Sequence, residues 1–227
     1  LPIKGLSGYD ITIVSGLALG IDSIAHRSAL DSGLKTIAVP GSGLSDDVIY
    51  PREHFFLAKE IIEKGGMLLS EFEPDFRATP YSFPKRNRIM AGLSKAVLVI
   101  EAEERSGTLI TARLALDYGR DVFTIPGSIF SENTKGSNWL IKQGATPISS
   151  AKDLLIELGF EVEESGQKDF TNLPSIEKEV VEILSEPKTR SELAELLDIP
   201  TDKLNSTITI LEIKGLIKEE GGYFRQI

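Results

Sequence analysis

Two short stretches concentrate residue types suited to one kind of chemistry. Phe83-Pro84-Lys85-Arg86-Asn87-Arg88-Ile89 sets three cations and an amide within four residues, and Glu104-Arg105-Ser106-Gly107-Thr108-Leu109 leads from an apolar segment through Ser-Gly-Thr into a helical pattern. Three positive charges in one turn repel one another unless an anion lies between them. The amides of Ser106, Gly107 and Thr108, at a helix N-terminus, direct partial positive charge at the same kind of ligand. Arg86 and Arg88 suit bidentate contacts to phosphate oxygens, and Lys85 suits a point-charge contact. On a helix Lys85 and Arg88 share a side at i and i+3, with Arg86 about 100° away. Asn87 has an amide to donate to a phosphate or a base edge. Tyr81 or Phe83 offers a face on which a base stacks, and Phe83 suits burial ahead of the helix equally well. The reading is a phosphate-binding surface.

The elements that must position these residues follow from periodicity. Short apolar runs at Ile11–Val14, Thr36–Val39, Met67–Leu69, Ala96–Ile100 and Val122–Ile125 alternate with longer helical patterns over residues 11 to 148. Runs of that kind, each closed by Gly, Ser or Pro before a helix, predict a parallel sheet with helices on both faces. Ligands on such sheets bind at the carboxyl ends of the strands. The loops at that edge read Ser15-Gly16-Leu17-Ala18-Leu19-Gly20-Ile21-Asp22, Pro40-Gly41-Ser42-Gly43, Ser70-Glu71-Phe72, Glu101 to Thr108 and Pro126-Gly127-Ser128. Glycine lets backbone approach a ligand and small hydroxyls add donors, so Gly16, Leu17, Gly20 and Ser42 join the candidate phosphate set; for any single loop, turn chemistry explains the glycine as well.

Composition constrains the partner. The formal charge is -9, from 34 acidic and 25 basic residues, with a sequence pI near 4.9. Residues 151–227 hold 17 acidic and 9 basic residues, net -8, against 17 and 16, net -1, for residues 1–150. A nearly neutral front portion is compatible with a local basic groove, whereas bulk attraction of a polyanion is not expected. With no cysteine and two histidines, neither a disulfide nor a zinc centre is expected, and no cofactor fingerprint is present. No apolar run approaches a membrane span and no signal peptide opens the chain, so a cytoplasmic protein without a membrane partner is expected. A chain that opens at Leu1 rather than Met is compatible with an engineered start or with a fragment.

The last third changes character. Residues 160–172 are polar and acidic and read as a linker between a domain over 1–159 and a smaller one over 173–227. Three helical patterns follow, around Ile176 to Leu184, Leu193 to Leu197 and Leu204 to Leu211, with Thr189 and Thr201 as candidate N-caps. A hairpin over Leu216 to Arg225 completes a winged helix. Its third helix offers Asp202, Lys203, Asn205, Ser206, Thr209, Glu212 and Lys214, too little charge to neutralise phosphates, so protein contacts or regulation are the expected role.

Ser15-Gly16-Leu17-Ala18-Leu19-Gly20-Ile21-Asp22 with Ala25-His26, then Phe83 to Arg88, Ser106-Gly107-Thr108 and Gly136-Ser137-Asn138, in that order, resemble the motifs of the DNA-processing protein A family. The resemblance covers about residues 11–150. It implies an extended Rossmann fold that binds single-stranded DNA, loads the RecA recombinase during natural transformation or recombination, and forms a homodimer. Under it, Leu140 and Ile141 read as exposed dimer anchors, and Lys142, otherwise a C-terminal dipole partner, reads as a DNA contact. Asp22 and His26, at i and i+4, read as a pair in which the carboxylate holds the ring. Two departures stand out. Leu19 occupies a position where the family commonly has Arg, and the family's first strand, with its Gly-Ser/Thr-Arg loop, has no counterpart in residues 1–10.

Two rival functions are weaker. Related Rossmann enzymes of the nucleotide phosphoribohydrolase type place a catalytic Glu beside this loop, but Ser106-Gly107-Thr108 is followed by Leu109-Ile110-Thr111-Ala112, with no acid to move a proton. A dinucleotide oxidoreductase would need Gly-x-Gly-x-x-Gly and its acidic ribose partner, which are absent. A non-enzymatic protein is the expectation.

Overall fold

The computed structural model describes residues 2–162, 173–184, 186–197 and 199–226. They fall into two units, Leu1–Val162 and Glu163–Ile227.

In the first unit strands and helices alternate: β1 (Thr12–Ser15), α1 (Ile21–Asp31), β2 (Lys35–Ala38), α2 (Phe55–Glu63), β3 (Met67–Leu68), α3 (Ser82–Leu93), β4 (Ala96–Val99), α4 (Gly107–Asp117), β5 (Asp121–Thr124), α5 (Lys135–Lys142), β6 (Thr146–Pro147) and α6 (Ala151–Glu157). Each helix returns the chain to the start of the sheet, so every pairing is parallel. Thr12 pairs with Lys35, Ile37 with Met67, Ala96 with Asp121 and Phe123 with Thr146. The five predicted strands are present, and β6, only two residues long and ending in Pro147, is an addition that periodicity does not reveal.

The expected single sheet is two three-stranded halves, ordered β1-β2-β3 and β4-β5-β6. Among the described residues no ladder joins β1 to β4. Among the described residues ahead of Ile11, Pro2–Leu6 form a short 3-10 segment and residues 7–10 turns and bends, so none of these supplies a strand between the halves. The halves share apolar packing instead: Ile13 of β1 and Leu98 of β4 both lie against the cluster of Ala29, Phe123, Ile148, Leu154 and Leu155. Phe160 stacks edge-on against Tyr9 at 5.4 Å, and Val162 joins the same cluster, which extends this unit past the expected boundary at 159. The linker assigned to 160–172 otherwise lies outside the described residues.

The second unit contains α7 (Ser175–Ile183), β7 (Lys188–Thr189), α8 (Arg190–Leu197), α9 (Thr201–Ile213), β8 (Ile217–Glu220) and β9 (Tyr223–Gln226). Three helices and an antiparallel sheet of order β7-β9-β8 make the winged helix, closed over Val180, Leu193, Leu204, Ile208 and Phe224. Thr189 caps α8 with Glu192 in reciprocal bonds, as predicted. Thr201 does not cap α9; Pro200 holds that position and Thr201 is the first helical residue. Lys214 of α9 is tied at 2.6 Å to the buried Glu177 carboxylate, which further reduces the charge that this helix offers to a phosphate.

Candidate functional site

The carboxyl ends of β1 and β2 and the N-terminus of α4 are drawn together by two side chains of α3. Arg86, 5% exposed, donates through Nη1 to the Gly16 and Val39 carbonyls, and its Nε donates to Asn87 Oδ1 at 3.1 Å. Asn87, 7% exposed, donates from Nδ2 to the Gly107 carbonyl at 3.4 Å. Asp22 holds the opposite side of the first loop, accepting from the Gly16 and Ala18 amides at 3.0 and 3.1 Å. Burial lowers the Arg86 pKa while the Asp22 charge opposes that shift; the guanidinium stays ionised, since arginine does so throughout the accessible pH range. Arg86 and Asn87 are therefore buried ties beneath the loops, which corrects their reading as exposed phosphate contacts: Arg86 Nη1 serves two backbone carbonyls, its Nε serves Asn87, and Asn87 reaches the Gly107 carbonyl. The Gly16 amide is used in the same way, by Asp22.

The upper side of α3 carries what remains open. Lys85 is exposed, with Nζ 5.4 Å from the Phe72 ring, and Phe72 stacks on Phe76 at 4.6 Å. Arg88 is half exposed and paired with Glu71. Tyr81 is 87% exposed. Phe83 is half-buried against Gly41 and lies 5.9 Å from the Tyr50 ring. A Cβ on Gly41 would stand 2.7 Å from Phe83 Cε1, so this loop needs glycine for ring and backbone to meet. Ser106 caps α4 by accepting from the Thr108 amide at 3.1 Å, while Gly107 is exposed at the first helical position. Gly20, at φ 85, opens α1 on the same edge beside Leu19, which is 64% exposed. Tyr50 was missed by sequence reading, and Glu71 and Phe72 were placed on the ligand edge without a role; their contacts with Phe83, Arg88 and Lys85 come from packing against α3, which leaves no local signal.

Four further assignments change. Leu17, at φ 63, is fully buried, and its carbonyl accepts from His54 Nδ1 at 2.7 Å, so it shapes the loop from below. Ser42 is fully buried, with its hydroxyl donating to the Gly43 carbonyl and its own carbonyl accepting from Ser70 Oγ. Lys142 closes α5 at the end remote from the loops: Gly136, in the first turn, is pressed on the Ala102 and Glu103 carbonyls, and six further residues carry the helix about 9 Å away. Leu140 is 1% exposed inside the β4–α4–β5 core, so it cannot be a surface anchor; Ile141 is half-buried beside it.

His26 is not held by Asp22. Its Nδ1 meets Thr36 Oγ1 at 2.7 Å, and since that hydroxyl donates to the Ile13 carbonyl, Nδ1 carries the proton and Nε2 is a buried acceptor without a partner among the described residues. Burial pushes the His26 pKa down from 6.5 to about 4, with Asp22 opposing and His54 assisting. The unfolded chain then takes up a proton between pH 6.5 and 4 that the folded chain refuses, so stability falls as pH falls through that window, by about 3 kcal/mol at its foot. Denaturant unfolding of the parent and His26→Gln at pH 7 and pH 4.5 checks this: the parent loses more stability between the two pH values than the variant does.

Two parallel half-sheets flanked by helices, with glycine loops, an exposed lysine, an exposed tyrosine and a capped helix N-terminus gathered on one edge, define a Rossmann-like protein. A family model for DNA recombination-mediator protein A matches residues 2–159, and the chain belongs to that family. It is 50% identical over 155 residues to Protein Smf of Escherichia coli, covering 68% of this chain and 41% of that protein. To DNA processing protein DprA of Streptococcus pneumoniae it is 48% identical over 158 residues, 70% and 55% of the two chains. The crystal structure of the S. pneumoniae protein superposes with a TM-score of 0.64 at 45% identity, over 71% of this chain and 55% of that one. DNA processing protein A of Helicobacter pylori, whose structure describes a single-stranded DNA binding mode, gives 0.61 at 34% identity, over 69% and 70%. The chain thus spans about half the length of the curated relatives it matches. Among the described residues no helix is long and apolar enough to cross a membrane, and no group of His, Cys, Asp and Glu is arranged to hold a metal.

Proposed function

We propose that this protein binds single-stranded DNA along the loop edge of the first unit and, as a homodimer in the cytoplasm, delivers that strand to the RecA recombinase without catalysing a reaction on it. The observation that carries the reading is the division of labour on α3: Arg86 and Asn87 lock the β1, β2 and α4 loops from below, which leaves Lys85, Arg88, Tyr81 and Phe83 on top. Cations beside exposed rings suit a flexible strand, whose phosphates meet the charges while its bases stack at roughly 1 to 3 kcal/mol each. Support comes also from the H. pylori relative and its single-stranded DNA binding mode. A recombinase partner is in keeping with a family described as a DNA recombination mediator, and the dimer is proposed with it. Of the two expected anchors, Ile141 rather than Leu140 is open to a partner copy, next to the exposed Trp139 of the same helix.

A competition experiment tests the ligand class. Labelled oligothymidylate bound to the protein is displaced by unlabelled single strands at far lower concentration than by duplex, and mononucleotides do not displace it. Cleavage of a nucleoside monophosphate to base and ribose phosphate, with no strand binding, would establish the enzyme reading in its place.

A further inference from the structure

Glu71 lies on Arg88, the most exposed arginine of α3. Its position is built rather than incidental. On one side Ser70 is fixed by its hydroxyl, which donates to the Ser42 carbonyl at 2.7 Å and accepts from the Phe72 amide at 3.1 Å. On the other, the Phe72 ring is stacked on Phe76, whose carbonyl accepts from the Gly43 amide at 2.8 Å. The absence of a side chain at Gly43 lets the Glu73–Pro74 backbone close on this loop. The result is a carboxylate carried by an anchored turn to the guanidinium best placed for an incoming phosphate. Carboxylate and phosphate compete for the same guanidinium fork, and a phosphate entering beside an occupied one is repelled by the negative charge already there.

We infer that Glu71 is a built-in competitor of the nucleic-acid backbone for Arg88, a substitute anion that occupies the guanidinium until a phosphate chain displaces it. The inference rests on the single-stranded DNA reading of the site. It gives the site a means of selection: a lone phosphate must displace Glu71 unaided, whereas a strand already held at Lys85 and on the aromatic faces presents its next phosphate at high effective concentration. Glu71 then disfavours small anions more than it disfavours strands.

The test uses the full chain and labelled oligothymidylate at matched salt. Glu71→Gln binds about two- to fivefold more tightly at low salt, the effect of one half-exposed ion pair. Its salt dependence is steeper by up to about 0.7, the value for one more neutralised phosphate on a single strand. The gain vanishes in an Arg88→Gln background, and Glu73→Gln, which removes an exposed charge from the same turn that has no ion pair among the described residues, yields less than half of it. Unchanged or weaker binding by Glu71→Gln overturns the inference, the latter making Glu71 a support for Arg88, and so does an equal gain from Glu73→Gln. A parent protein that holds no oligothymidylate overturns the DNA reading and this inference together, whereas tight parental binding without the Glu71 effect overturns this inference alone.

Discussion

Arg86→Ala unfolds more of the molecule than it deprives of ligand. The substitution leaves the Gly16 and Val39 carbonyls without their donor. Leaving a buried carbonyl without its donor costs about 1 to 3 kcal/mol, and two such losses are a large part of a domain's stability. Denaturant titration monitored by far-UV circular dichroism reads this directly: the midpoint falls sharply for Arg86→Ala and stays near the parental value for Lys85→Ala, whose side chain is exposed. Equal midpoints for the two variants would return Arg86 to the surface.

The second large effect is at Leu140. A carboxylate placed at a position 1% exposed, among Val99, Ala112 and Val122, has no partner and no water, and about 4 kcal/mol or more is lost. Leu140→Asp therefore yields unfolded or aggregated protein, not folded monomers. Ile141→Asp, on the half-exposed flank of the same helix, keeps the fold and shifts the protein to monomers in light scattering. A folded, monomeric Leu140→Asp would show that the helix is turned differently.

These two positions also show what a sequence discloses and what it withholds. The parallel architecture was legible because β-branched runs at Ile11–Val14 and Ala96–Ile100 recur with helical spacers, a pattern that few other folds produce. The loop cluster was legible because strand ends in such a fold must share an edge, and Thr189 was legible as a cap because its partner Glu192 lies three residues on. Arg86 was not, although its place about 100° from Lys85 and Arg88 hinted at a different environment. Its acceptors lie 70 and 47 residues away, at Gly16 and Val39, and nothing in the local pattern marks a cation as buried. The Glu71 to Arg88 pair, 17 residues apart, is hidden for the same reason. Trp139-Leu140-Ile141 presents three large apolar residues in a row, so type alone cannot say which of them faces the core. The split of the sheet follows from which strands pair, and pairing is a property of the folded chain.

The central claim is that Lys85 and Arg88, held up by the Arg86 and Asn87 ties beneath them, contact the phosphates of a single strand. Fluorescence anisotropy of labelled oligothymidylate, titrated with parent protein and with the Lys85→Ala, Arg88→Ala double variant across a range of salt, tests it most directly. The predicted result is weaker binding by the double variant at every salt concentration, with the slope of log affinity against log salt reduced by about 0.7 per lost phosphate contact and the unfolding midpoint unchanged. A double variant that binds as tightly as the parent, with the same slope, would contradict the account and move the strand to another face of the protein.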